Sequence, residues 1–150
     1  MFDIFTIANW FLAQEPMTHK KLQKLCYYAQ AWYAVFFSGE RLFKEDIQAW
    51  VHGPAIPEVY YRYSDYGFAL IPKCNTVPNF PEDIYNLLTS VWTTYGALSA
   101  DELEYLTHHE SPWKDARQGL EPDVISNIVI PIEAMQSYYT EKYLQEHSHG

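Results

Sequence analysis

Three consecutive residues, His108, His109 and Glu110, have side chains that could bind a divalent metal or transfer protons. Imidazole and carboxylate groups are common zinc ligands, and His52, Asp65 or Asp101 could supply a further ligand from elsewhere in the chain. The spacing does not favour such a site, because neighbouring residues of a helix point about 100° apart. Neither an HExxH motif nor a CxxC pair is present. A metal-dependent hydrolase using His52 and these three consecutive residues is therefore the less favoured hypothesis, and we predict no metal site.

Other catalytic signatures do not occur in the sequence. The chain has six glycines, neither a GxGxxG nor a GxxxxGK phosphate loop, and no GxSxG nucleophile motif. Cys26 lies inside an apolar stretch, where burial would keep its thiol unreactive. The paired carboxylates fall at the expected starts of elements, where they complement helix dipoles. The residue types favour a binding module that is not an enzyme and that uses no cofactor.

The net charge of −9 is unevenly distributed along the chain. Residues 1–75 carry seven acidic and seven basic side chains, whereas residues 76–150 carry twelve acidic and three basic ones. This distribution lacks the positive footprint of a nucleic-acid-binding protein, so we expect no direct binding of nucleic acid. The acidic half could face a basic partner, although a solvated surface is the commoner reason for such charge.

The cysteine and hydropathy patterns predict a cytoplasmic protein without a membrane segment. Cys26 and Cys74 are too few for a disulfide framework, which fits a reducing compartment. The first residues lack the basic region and cleavage site of a signal peptide. The longest uninterrupted apolar run, Ala31–Phe37, is far shorter than a membrane span of roughly twenty residues.

The stretch Leu22–Phe37 is predicted to be the helix around which the fold is organised. Its apolar residues recur at helical spacing and leave little surface for water, which is typical of a central buried helix. Thr18 is the expected N-cap, and Ser38-Gly39 is the expected end. One polar seam must find hydrogen-bond partners, and partners inside the fold are favoured over a ligand or another protein. Its members are Lys20, Gln23, Tyr27 and Gln30.

Other segments are predicted to pack around this helix. Alternation predicts a strand at Asp46–Val51, paired with Arg41–Phe43 in a hairpin and stopped by Gly53-Pro54. Residues 64–80 are an expected loop, and β-branched Val124–Ile130 could be extended. Helices are predicted around Ile4–Leu12, at Pro57–Tyr63, over Ile84–Tyr95, after the capping box Ser99/Glu102, after Ser111-Pro112 and after Pro131. The fold class is therefore mainly α: a single compact helical domain over 1–150 around a central buried helix, with a small β-hairpin or short sheet and a disordered tail at 147–150.

Three motifs stand in order along the chain. They are LQKLxYYAQ from Leu22, AWxxGPxxPxxY from Ala49 and LTHxExPW from Leu106. In this order and spacing they resemble the Panacea domain family, which includes the antitoxin SocA and many proteins labelled phage-associated. The resemblance extends over nearly the whole chain, with further similarity at Ile130–Tyr139.

The resemblance implies a mostly helical antitoxin that neutralises a cognate toxin protein by binding it. For SocA-like members it also implies a proteolytic adaptor that delivers the toxin to a Clp-type protease. An alternative is a phage- or mobile-element-encoded protein that binds a host factor. For each motif residue alone, a structural role is favoured over contact with a partner. The motif residues carried over as structural or contact positions are Lys24, Tyr27, Trp50, Gly53, Pro54, Pro57, Tyr60, Thr107, His108, Glu110 and Trp113.

The tyrosine-rich third helix is the predicted partner-binding corner. A helix of this length cannot bury all its tyrosines, so Tyr61 and Arg62 should stand partly exposed beside the 64–80 loop, with Tyr60 and Tyr66 nearby. Tyrosine and arginine are enriched at interface hot spots. The alternative is a tyrosine cluster that packs onto the acidic second half of the chain through hydroxyl hydrogen bonds.

Overall fold

The centre of the computed structural model, which describes residues 1–148, is a long helix, α2 (His19–Phe36). Thr18 Oγ1 accepts a hydrogen bond from Lys21 N at 3.3 Å, which confirms the predicted N-cap. Ser38 and Gly39 follow the helix with φ of 56° and 81°, the left-handed conformation that commonly ends helices. Every residue from Leu22 to Ala31 is buried, which confirms the prediction of a central core helix.

Six further α-helices surround α2 in the described part of the chain. They are α1 (Ile4–Leu12), α3 (Pro57–Tyr63), α4 (Glu82–Tyr95), α5 (Ala100–His108), α6 (Ser111–Ala116) and α7 (Ile132–His147). Helix α2 packs against α1, α3, α4, α5 and α7, and α6 packs against α5 and α7. The fold is mainly α, as predicted. Within residues 1–148, no helix is long and apolar enough to cross a bilayer.

Local sequence signals set most helix boundaries. Helix α3 has the predicted bounds, with Pro57 at its first position, where a missing N–H costs nothing. The predicted capping box is present, because Ser99 Oγ accepts from Glu102 N while Glu102 Oε1 accepts from Ser99 N. Helix α7 ends at His147, a residue that the prediction had placed in the disordered tail 147–150. Residues 149 and 150 lie outside the described residues.

The small sheet pairs β1 (Gln48–Trp50) with β2 (Gly53–Ala55) in antiparallel register, Gln48 opposite Ala55. The prediction that Arg41–Phe43 is the partner strand was wrong, and so was the role of Gly53-Pro54 as a simple stop. The backbone of residues 42 and 43 is instead bound by the side chain of Gln30, which accepts from Leu42 N at 2.6 Å and donates to Phe43 O at 3.0 Å. The backbone of this segment is thus hydrogen-bonded by a side chain of α2 and not by a neighbouring strand.

A third, strand-like segment continues this sheet on the other side of β1. Ala49 N donates to Ile128 O and Ile130 N donates to Ile47 O, each at 2.8 Å, with Gln48 opposite Val129. The extended conformation expected from the β-branched residues of Val124–Ile130 is present at this point. The order across the sheet is therefore residues 128–130, then β1, then β2.

The predicted loop 64–80 contains a 3-10 turn, Ser64–Tyr66, and is attached to the body at two places. Met17 and Ile71 exchange backbone hydrogen bonds of 3.3 and 2.7 Å. Cys74 N donates to Leu12 O at 3.0 Å. These bonds hold the loop against the α1–α2 connection, beside the end of α3.

Candidate functional site

The polar seam of α2 is satisfied inside the fold, as the favoured interpretation predicts. Gln23 forms a reciprocal pair with the backbone of Ile56, donating to its carbonyl at 3.0 Å and accepting from its amide at 2.7 Å. Gln30 binds residues 42 and 43, as described above. The two glutamines therefore fix the segments that enter α3 and β1, because a buried amide side chain that satisfies a backbone pair defines its position.

Lys20, the first member of the seam, lies in an ion-pair cluster with α5. Its Nζ contacts Asp101 Oδ1 at 2.8 Å and also pairs with Glu104, whose other oxygen lies 3.3 Å from His52 Nδ1. Partial burial disfavours the charged forms, but the hydrogen bonds between them outweigh it, so the pKa of Lys20 is raised and that of Glu104 is lowered. His52 is thereby engaged with Glu104.

Lys24 is buried beneath β2, and its side chain is 2% exposed. Its Nζ donates to Pro54 O at 3.2 Å. Gly53, with φ of 106°, lies against it: a Cβ at this position would stand 2.6 Å from Lys24 Cε and 3.0 Å from Thr107 Oγ1. These contacts bring together three separate stretches of the chain where α2, β2 and α5 meet. The group, here named the motif core, comprises Lys24, Gly53, Pro54 and Thr107.

Burial lowers the pKa of the Lys24 ammonium to about 7 from its ordinary value of 10.5. Between these values the unfolded chain binds more protons than the folded chain, so stability should rise with pH. We expect the free energy of unfolding of the parent, relative to that of Lys24→Met, to increase by about 2 kcal/mol between pH 7 and pH 9. Urea denaturation at several pH values measures this. A difference that does not vary with pH would show that Lys24 keeps its ordinary pKa in the fold.

Glu110 is the acceptor of a buried tyrosine network between α2 and α7. Its Oε1 accepts hydrogen bonds from Tyr28 Oη at 2.7 Å and Tyr139 Oη at 2.8 Å, and the Tyr27 and Tyr139 hydroxyls lie 3.0 Å apart. Burial raises the pKa of the Glu110 carboxyl, although the tyrosine hydrogen bonds oppose that shift. Burial also raises the pKa of all three tyrosines. The network ties the N-terminal end of α6 to the two longest helices.

His108, Trp113 and Trp50 connect α5 and α6 to the sheet. The His108 ring stacks on the Trp113 indole with centroids 3.9 Å apart, and Trp113 Nε1 donates to Trp50 O at 2.7 Å. Burial, the main cause, lowers the pKa of His108. The remaining candidate metal ligand, His109, turns to Tyr105 O at 2.8 Å. His52, His108, His109 and Glu110 thus face four different neighbours, and within residues 1–148 no three His, Cys, Asp or Glu side chains are grouped as a metal site.

The exposed candidates, Tyr60, Tyr61 and Arg62, form one corner on α3, here named the aromatic corner. Tyr61 is 77% exposed, and Tyr60 lies edge-on to the Trp50 ring at 5.2 Å. The Arg62 guanidinium stacks 3.7 Å above the Phe5 ring. None of the hydroxyls of Tyr60, Tyr61 and Tyr66 has a hydrogen-bond partner among the described residues, so the alternative of tyrosines bonded to the acidic half through their hydroxyls finds no support there.

The structure separates the candidate residues into two groups. The buried or half-buried group comprises Lys24, Tyr27, Trp50, Gly53, Pro54, Pro57, Thr107, His108, Glu110 and Trp113. The exposed group is the aromatic corner. Sequence reasoning missed Arg117, which is buried and donates to the carbonyls of Ala49 at 3.1 Å and Val124 at 2.5 Å. Its one available signal was that it is among only three basic residues in the acidic half.

A family model described as "Antitoxin SocA-like, Panacea domain" matches residues 22–114. The match covers more than half of the chain, contains all three motifs and confirms the resemblance over these residues; the further similarity at Ile130–Tyr139 lies outside the match. No curated protein and no solved structure gave a significant match.

Proposed function

Since the chain belongs to the SocA-like antitoxin family, characterised by the Panacea domain, we propose that it neutralises a cognate toxin protein by binding it. The toxin is held by the surface of the fold in the cytoplasm, without catalysis or a cofactor. The observation that carries this proposal is the contrast between the two groups of motif residues. The motif side chains Gln23, Lys24 and Glu110 form hydrogen bonds inside the fold, whereas Tyr61 of the aromatic corner is 77% exposed and its hydroxyl has no hydrogen-bond partner among the described residues.

The aromatic corner is the proposed toxin-contacting surface. Tyr61 and its neighbours offer large apolar area with free hydroxyl groups, the combination that is enriched at binding hot spots. Buried contacts also fix the position of the aromatic corner. Gln23 fixes Ile56 immediately before α3, Val59 on the opposite face of α3 is fully buried, and Arg62 packs on Phe5. A surface that is already ordered loses little conformational entropy on binding.

We expect the double variant Tyr61→Ala/Arg62→Ala to lose toxin capture while remaining folded. Removing a central tyrosine and arginine from an interface typically costs 2 kcal/mol or more, roughly thirtyfold in affinity. The measurement is co-purification of the toxin encoded by the neighbouring reading frame, with growth rescue on co-expression as a second readout. Circular dichroism and thermal melting establish that the variant folds.

Tyr105→Ala is the matched control, because Tyr105 is a similarly exposed tyrosine (68%) on α5, outside the aromatic corner. It should capture and rescue like the parent. If the double variant also captures normally, the toxin site lies elsewhere on the surface. If no neighbouring gene is toxic, the antitoxin role itself is contradicted, and a host factor becomes the better candidate partner.

The adaptor role that the resemblance implies for SocA-like members is tested in the same cells. On this proposal, the bound toxin passes to a Clp-type protease, so its half-life should be short in the presence of the chain and long when that protease is deleted. Neutralisation that persists with a stable toxin would assign the activity to binding alone.

A further inference from the structure

We propose that the outer edge of the sheet, at residues 125–129, binds an extended, basic segment of a partner polypeptide as an added β-strand. This surface is separate from the aromatic corner, and the inference does not depend on the partner being a toxin. It follows from unpaired backbone groups, exposed aliphatic side chains and local negative charge that occur together at one edge.

The pairing pattern leaves backbone groups free at this edge. Residue 128 accepts from β1 and residue 130 donates to it, with Gln48 directly opposite Val129. In this antiparallel geometry the amide and carbonyl of the middle residue point away from the neighbouring strand. Neither group of Val129 has a hydrogen-bond partner among residues 1–148. An edge of this kind is a template for pairing with another chain.

The side chains beside this backbone are unusually apolar for an exposed segment. Ile125 is 89% exposed, and Val124, Ile128 and Val129 are also exposed. Natural sheet edges are commonly protected by lysine side chains, yet residues 118–130 contain no lysine. A shallow groove between α6 and the start of α7, lined by Asp115, Ala116, Val129 and Pro131 among others, runs beside the edge and could receive side chains of an added strand.

Arg117 holds the segment in place before any partner arrives. Its guanidinium donates to Ala49 O in β1 and also to Glu121 O at 3.0 Å and Val124 O at 2.5 Å. One buried cation therefore fixes both the inner strand and the turn that leads to the edge. A pre-positioned strand can pair without first losing the conformational entropy of ordering.

The charge around the edge determines the chemistry of the partner. Asp115 lines the groove, and Glu121, Asp123 and Glu133 flank the segment in sequence, all of them exposed. The charge of Arg117 is buried under backbone carbonyls, and Lys114 is the one other basic residue in the sequence from 112 to 134. An added strand with lysine or arginine beside apolar residues would be attracted, whereas a second copy of this acidic edge would be repelled.

Fluorescence anisotropy with a short synthetic peptide in which lysine alternates with valine tests the proposal on the whole chain. We expect binding at low salt that weakens as salt is added. A peptide alternating glutamate and valine, and a lysine–valine peptide N-methylated at alternate amides, should each bind at least about tenfold more weakly, because the first reverses the charge and the second removes backbone donors.

Two variants of the protein place the binding at this edge. Val129→Pro removes the outward N–H while leaving the bonds of residues 128 and 130 to β1, and should weaken binding about tenfold or more. Val129→Thr, which keeps the N–H and the branched shape, should bind like the parent. Equal binding by parent and Val129→Pro, or of methylated and unmethylated peptide, would overturn the proposal, as would no binding by the parent. Self-association that Val129→Pro abolishes would assign the edge to a second copy instead and equally overturn it.

Discussion

Replacing Glu110 with alanine is expected to lower the free energy of unfolding by about 3–5 kcal/mol. The carboxylate accepts hydrogen bonds of 2.7 and 2.8 Å from Tyr28 and Tyr139, and all three side chains are buried. Alanine would leave the Tyr28 hydroxyl without an acceptor, and a buried donor of this kind costs about 1–3 kcal/mol. The lost charge-assisted bonds and the new cavity add to this cost. Urea denaturation followed by circular dichroism measures the change.

Tyr139→Phe is the appropriate comparison for this variant. It removes the bonds of the Tyr139 hydroxyl to Glu110 and to Tyr27 but leaves the bond between Tyr28 and Glu110 and opens no large cavity, so it should cost less, about 1–3 kcal/mol. An alanine variant of Glu110 that is no less stable than Tyr139→Phe would show that the carboxylate is not the centre of the network.

The ionisation of Glu110 gives the same network a pH dependence. Its pKa is raised in the fold by burial, so between the unfolded and folded values the native state binds more protons than the unfolded chain. Stability from this group is therefore complete below the unfolded pKa and is lost as pH rises through the folded pKa. Glu110→Gln keeps an acceptor but cannot ionise, so its stability should fall less than that of the parent over this range. An unchanged slope would contradict the raised pKa.

The parts of the fold that were predicted correctly are those that depend on neighbouring residues. The N-cap at Thr18, the capping box of Ser99 and Glu102, and the bounds of α3 each require residues within about one helical turn of one another. The apolar surface of Leu22–Phe37 likewise follows from periodicity alone. Such signals can be read from the sequence because the interacting residues are always separated by the same small number of positions.

The parts that sequence missed depend on contacts between distant residues. Arg41–Phe43 looked like a strand, but Gln30 satisfies its backbone, and nothing in the local pattern reveals which side chain will arrive there. Gly53-Pro54 has the composition of a turn, yet it pairs with β1 because the two strands are joined by only two residues. The guanidinium of Arg117 donates to four carbonyl groups, one in β1 and three in the loop that follows α6. This arrangement exists only in the assembled fold.

The candidate site shows the same division. The prediction of an exposed aromatic corner required only the observation that a short helix cannot bury all three of its tyrosines, and Tyr60 and Tyr61 are indeed exposed. The partners of the motif residues, in contrast, are separated by long stretches of chain: Tyr28 from Glu110, and Lys24 from Pro54. Sequence identified the residues that matter for the motif without indicating that they contact one another.

Gly53→Ala tests the closest of these long-range contacts, and we expect it to lower the free energy of unfolding by about 2–4 kcal/mol. One part of the cost is backbone strain, because φ of 106° is unfavourable for any residue with a Cβ, at about 1–3 kcal/mol. The other part is steric, since the new methyl group would lie 2.6 Å from Lys24 Cε. Lys24 is buried and bonded to Pro54 O, so its displacement breaks that bond and disturbs the packing around it.

Two further variants separate these contributions. Gly67→Ala is the control for backbone strain alone: Gly67 also has a conformation that favours glycine, with φ of 57° and ψ of −122°, but a Cβ there would meet no atom within 4 Å, so only a strain cost of about 1–3 kcal/mol is expected. In the double variant Gly53→Ala/Lys24→Ala the steric conflict disappears. The loss of unfolding free energy in the double variant should therefore be smaller, by about 1 kcal/mol or more, than the sum of the losses in the two single variants. Strict additivity, or equal costs for Gly53→Ala and Gly67→Ala, would mean that Lys24 moves freely and that β2 is not held by this contact. A favourable coupling would identify Gly53 as the position where the smallest side chain allows α2, β2 and α5 to meet around one buried lysine.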